Sequence, residues 1–172
     1  MNQLVASYYL GERSTALIGL AFGLLLFAVS IGMWRACAPG TIARGAAHAL
    51  LAFGLLQATA SGAYLATLSR VSTAHSATMS DIALKADEIK RMEGVLAGTG
   101  YTGALIFFST IIAAGLSLAL FFRDRPQLVG IGLALMAYGV AGHIFESISI
   151  EKNRAYLRAV RELVAKNTGA EP

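Results

Sequence analysis

The chain has 172 residues, of which 56% are apolar and only 14% charged. Soluble domains carry about 25% charge, and helices apolar on every face would need the interior of a much larger protein, so a water-soluble fold is excluded. The net charge of +4 is scattered between apolar stretches without a basic stripe interleaved with aromatics, which removes nucleic acid as a partner and fits basic residues beside membrane spans.

Four stretches lack Asp, Glu, Lys and Arg: 14–34, 45–69, 94–122 and 126–145. A hydrocarbon core of roughly 30 Å takes about 20 apolar residues of helix at about 1.5 Å each, and all four stretches are long enough. The sequence therefore predicts an all-α integral membrane protein with the lipid bilayer as its first partner. It forms an up-down four-helix bundle in one domain, 1–172, with spans at about 14–34, 46–68, 101–122 and 128–149. A small extramembrane helical cap, built from about 81–97 and 151–167, lies on the side of both termini, here termed the N-face.

The first span leads to Ala36-Cys37-Ala38, which resembles a signal cleavage site. Glu12 offsets Arg13 before it, however, and the apolar run exceeds the roughly 7–15 residues of a signal core. It is expected to remain as a helix, with Trp34-Arg35 as an interfacial anchor. Cys37 is the sole cysteine, which removes an intrachain disulfide. Pro39-Gly40 marks a turn on the far face, and Thr41 is the expected cap of the second helix. Gln57 falls near the middle of the second span and needs a hydrogen-bond partner on a neighbouring helix.

Residues 70–93 are polar. Ser80 is the expected opening of a helix in which Ile82, Ala86, Ile89, Met92 and Leu96 recur at helical spacing. Gly94, Gly98 and Gly100 allow a break before the third span. Arg123-Asp124-Arg125-Pro126 then makes a hairpin, with Asp124 the expected N-cap. The fourth helix continues beyond the membrane, where Ile150, Leu157, Val160 and Val164 form a stripe. The two amphipathic segments are expected to pack on each other, with an interfacial position on lipid as the alternative. Apart from Arg35, Arg44, Arg123 and Arg125, every Lys and Arg lies on the N-face, so the positive-inside rule puts that face in the cytoplasm.

Ala49–Gly54 in the second span resembles Ala134–Gly139 in the fourth, and Tyr9-Leu10-Gly11 resembles Tyr101-Thr102-Gly103. A duplication would give two helical hairpins related by an axis along the membrane normal, and chance matching of low-complexity apolar sequence is the alternative. Small residues are the expected packing seams: Gly19 with Gly23, Ala113 with Ser117, Gly115 with Ala119, and Gly130, Gly132, Gly139 and Gly142 on the fourth helix.

His143 and Glu146 share a face of the fourth helix in the N-face leaflet, where ionisable groups are functional candidates. Glu12, Arg13, Tyr64, Arg70 and Tyr101 fall at similar depth, with Glu88, Arg91, Glu93 and His75 just above. These ligand-binding candidates suit an anionic headgroup, a proton relay, or a divalent metal held by Glu12, His143 and Glu146. The alternative is an internal network, in which Glu146 pairs with Arg13, Arg70 or Arg154 and His143 bonds a Tyr or Ser hydroxyl. No motif indicates a cofactor or catalytic residue, so cofactor and metal stay unknown. The function expected is that of a small non-enzymatic subunit, accessory, partner-binding or of inhibitor/immunity type, joined to a membrane-protein partner or a second copy. The alternatives are an oligomeric transporter or channel, and a membrane enzyme or metal- or lipid-binding protein using the Glu/His cluster.

Overall fold

The computed structural model describes residues 2–78 and 81–168, with side chains described for 4, 6–68, 87–98 and 101–165. Among these residues lie five α-helices: α1 (Asn2–Ala36), α2 (Ile42–Thr78), α3 (Asp81–Ala97), α4 (Thr99–Phe121) and α5 (Pro126–Thr168). Four of them, α1, α2, α4 and α5, contain stretches long and apolar enough to cross a membrane. Their outer surfaces carry Ile18, Leu25, Ile106, Leu120, Phe121 and Ile144 in exposed positions. That is the distribution expected of helices solvated by hydrocarbon, where an apolar side chain has no reason to turn inward.

The helix ends follow from local chemistry. Gly40 adopts φ 81°, the left-handed turn that glycine permits. Thr41 caps α2, its hydroxyl accepting from the Arg44 amide at 3.3 Å. Arg44 also closes the far-face loop: its guanidinium lies 4.0 Å over the Trp34 ring and donates to the Cys37 carbonyl at 3.2 Å. Between α3 and α4 the break falls at Gly98, which is extended at φ −67° and ψ 155°. The second hairpin corrects one expectation. Because α5 starts at Pro126, the residue before it is Arg125, whose carbonyl accepts from Leu128 at 2.9 Å and Val129 at 3.2 Å. Asp124 stands one position too early to cap it. Ser80 lies outside the described residues.

The main contacts run α1–α2, α2–α5 and α5–α4, and α3 rests on α5. Each of the three long seams closes where glycine lets one backbone meet another. A Cβ on Gly23 would come 2.6 Å from the Ala58 nitrogen, and one on Gly54 would come 2.7 Å from the Phe27 nitrogen. Gly115 and Gly132 face each other's carbonyls between α4 and α5, while Gly45 meets Gln127 and Gly130 meets Ile42 between α2 and α5. The Gly19/Gly23 spacing is thus the α1–α2 seam, and Gly115 serves the α4–α5 seam. Ala113 and Ser117 face outward instead, with the Ser117 hydroxyl returned to the Ala113 carbonyl at 2.8 Å.

The α2–α5 contact is reciprocal. Ala49 and Phe53 pack with Ala134 and Tyr138, and the Phe53 and Tyr138 rings stack 4.0 Å apart at 4°. These are the matching positions of the sequence repeat, and Gly45–Gln127 and Gly130–Ile42 exchange under the same match. The two hairpins therefore meet through equivalent surfaces, as parallel repeats do. Gln57 crosses this seam near mid-span, accepting from the Tyr138 hydroxyl at 3.3 Å and donating to Ser61 at 3.2 Å.

The cap is larger than the sequence implied. α5 runs for 43 residues without interruption, about 64 Å, and α1 and α2 also extend past their spans. Met92 of α3 is buried with Tyr156, Leu157 and Val160 of α5, and Leu4 and Tyr8 of α1 join them. The two amphipathic segments pack together as expected, with α1 as an unforeseen third wall.

Gly23→Leu should cost on the order of 1–3 kcal/mol or more, because the added side chain meets backbone, whereas Gly32→Leu should be near neutral, since nothing lies within 4 Å of that position. Thermal unfolding of the two variants in the same detergent tests this, and equal losses would mean the seam is elsewhere.

Candidate functional site

Where α1, α2 and α5 leave the charge-free region, Glu12 is 8% exposed and has two cross-helix partners. The Tyr64 hydroxyl of α2 donates to it at 2.6 Å, and the Lys152 ammonium of α5 donates at 2.9 Å. Lys152 also reaches Thr15 at 3.5 Å and lies 5.9 Å from the Tyr8 ring centre. A carboxylate and an ammonium, each drawn partly out of water, compensate one another here, and the pair ties three helices at one level.

Next to Lys152 on α5, Asn153 is buried between α1 and α4. Its side-chain oxygen accepts from the Tyr8 hydroxyl at 2.7 Å, and its amide nitrogen donates to the Tyr101 hydroxyl. Tyr8 in turn stacks on Tyr156, with ring centres 3.9 Å apart at 17°. The third layer is Glu88 of α3, only 1% exposed. Arg91 holds it through two bonds, at 2.9 and 2.6 Å, and the Tyr156 hydroxyl donates to it at 2.9 Å. The bonds it donates to Glu88 outweigh burial and keep the Arg91 guanidinium firmly charged, while burial, and then the Glu88 carboxylate, pushes the Tyr156 phenol above its usual range. At the rim Arg161 pairs with Glu93 at 2.6 Å.

The sequence-derived candidates fall into separate groups. Glu12 and Tyr64 are brought together, and Tyr101 joins the neighbouring Asn153 layer. Arg13 is exposed on α1. The side chains of Arg70 and His75 lie outside the described residues. His143 bonds Ser109 of α4 through Nε2 at 3.1 Å, a hydroxyl partner as one reading expected. Glu146, half-buried, follows it on the row with Gly132 and Gly139 that faces α4. Pairing of Glu146 with Arg154 is not formed, since Arg154 pairs with Glu151 at 3.3 Å. The proposed metal set of Glu12, His143 and Glu146 does not converge: Glu12 is held in the α1–α2–α5 region by Tyr64 and Lys152, and His143 in the α4–α5 seam. Among the described residues no three His, Cys, Asp or Glu side chains are placed to hold a metal ion.

Sequence reasoning missed Lys152, Asn153, Tyr8 and Tyr156 as members of this network. Their signal was Tyr8, Tyr9, Tyr101 and Tyr156 clustering at one depth, an interfacial aromatic pattern that carries hydroxyls to the right level.

The fold and the clusters define the class as an all-helical protein with four membrane-length helices and a polar, clamped cap. Comparison with protein families, curated proteins and solved structures finds no match to this chain.

Glu88→Ala should destabilise the cap by about 3–5 kcal/mol, because Arg91 would be left as a partly buried charge without its partner. The Tyr156 phenol has its folded-state pKa raised, so its contribution is present below about pH 10 and is lost as pH rises further. The midpoint of thermal unfolding should therefore fall above that pH in the native chain, and fall less in Tyr156→Phe. An unchanged alkaline profile in the variant would rule the phenol out.

Proposed function

We propose that this chain is a non-enzymatic membrane subunit, accessory, partner-binding or of inhibitor/immunity type, that acts through its helix surfaces and cap. The observation that carries this reading is the use of the buried carboxylates at the N-face. Glu12 is paired across helices with Lys152 and takes the Tyr64 hydroxyl, while Glu88, paired with Arg91 on its own helix, takes the Tyr156 hydroxyl of α5, so both carboxylates serve to hold helices together. The clamp stiffens a helical platform whose outer surface presents Asp87, Lys90, Arg154, Arg158 and Glu162 to solvent. A rigid, charged platform on a membrane anchor suits recognition of another protein, because little ordering is needed at the moment of binding.

Gentle solubilisation of native membranes should recover the chain with a partner at fixed stoichiometry, and the charge reversals Arg158→Glu and Lys90→Glu should loosen it without unfolding the chain. Recovery of the lone chain across several mild detergents would count against the reading.

The positive-inside count supports an orientation with the cap and both termini in the cytoplasm. Cys37, the only thiol, sits in the far-face loop. A membrane-impermeant maleimide should then label Cys37 in intact cells and spare it in sealed inside-out vesicles. The opposite pattern would reverse the orientation.

A further inference from the structure

Between α1 and α2, next to the far-face loop, lies a crevice of about 240 Å³ lined by Ser30, Ile31, Trp34, Ala47 and Leu51. The lining is apolar in effect, since the Ser30 hydroxyl is turned back to the Phe27 carbonyl at 2.7 Å. At its mouth stands Arg44, stacked 4.0 Å over Trp34. Of the five donors of that guanidinium, one is used on the Cys37 carbonyl at 3.2 Å. Arg35 is exposed in the last turn of α1, one turn beyond Ile31 of the lining, and the sequence holds no Asp or Glu from residue 13 to residue 80.

An apolar slot opening beneath two arginines is complementary to an amphiphile with a hydrocarbon tail and an anionic head. We propose that this crevice is a binding site for an anionic phospholipid of the far-face leaflet, one acyl chain lying against Ile31, Trp34 and Leu51 and the phosphate meeting Arg44 and Arg35. The planar fork of Arg44 suits phosphate oxygens, and its stacking on Trp34 holds that fork at the mouth before the lipid arrives. The chain gains contact with walls that neighbouring helices leave unfilled. The site lies at the opposite end of the molecule from the cap, so it does not depend on the proposed partner-binding role.

Trp34 is the only tryptophan and lines the crevice, so its fluorescence reports on the occupant. The chain is reconstituted in vesicles of phosphatidylcholine and phosphatidylglycerol, with bromine on the acyl chains of one lipid or the other. Brominated phosphatidylglycerol should quench Trp34 in preference to brominated phosphatidylcholine, by about fivefold in relative affinity for each arginine engaged. Arg44→Gln should reduce that preference, and Arg35→Gln with Arg44→Gln should abolish it, with helical content unchanged by circular dichroism. Arg123→Gln with Arg125→Gln, on the other far-face loop, should leave it intact. Millimolar inorganic phosphate should not relieve the quenching, because the tail supplies the second half of the recognition. Equal quenching by the two lipids would overturn the proposal, as would equal loss in both double variants, which would indicate only a diffuse surface charge. Relief by free phosphate would also overturn it, by assigning the mouth to a soluble anion.

Discussion

In hydrocarbon a helix gains nothing from hiding leucine, so close backbone approach must supply the cohesion that water supplies elsewhere. In this chain that approach is made at glycines: Gly23 with Gly54, Gly115 with Gly132, and, on the central seam, Gly45 against Gln127 and Gly130 against Ile42. Each removes the Cβ that would hold two helices apart and so lets dispersion contacts accumulate along the rest of the seam. The order α1–α2–α5–α4 follows from where those pairs sit. The buried polar groups then lock an arrangement that packing has already chosen, as Gln57 does when it meets Tyr138 across the α2–α5 seam.

The central seam is reciprocal between the two hairpins. Ala49 and Ala134, Phe53 and Tyr138, and Gly45 and Gly130 all take equivalent places. The halves then diverge towards the N-face. His143 and Glu146 match Ala58 and Ser61, so the second hairpin carries ionisable groups where the first packs an alanine against Gly23 and a serine beside Gly19. The second hairpin continues as the long outer part of α5 that supports α3.

Much of this was legible in the sequence. Uncharged runs marked all four membrane-length helices, because hydrocarbon tolerates few alternatives to helix and few charges within it. The Gly19/Gly23 spacing named a true seam. Ala113 and Ser117 show the limit of such spacing: a small-residue pattern identifies a smooth helix face but not whether another helix covers it. The site was misjudged for a related reason. Counting residues along a helix gives depth, and by depth Glu12, His143 and Glu146 belong together. It does not give the direction in which each side chain leaves its helix, and the structure separates them into different seams. The Glu12–Lys152 pair leaves no local signal, because its two members lie far apart in the chain. A long lysine stem can reach back to such a partner at the interface.

The unbroken course of α5, from the far-face hairpin at Pro126 to its last turn at Thr168, makes it a rod that passes through both regions. Because α3 is clamped to the outer part of that rod, the inclination of the helix in a bilayer and the heading of the platform are one mechanical variable. Thickening or thinning of a membrane changes helix inclination. In this architecture the same change would swing the charged platform like the hand of a gauge.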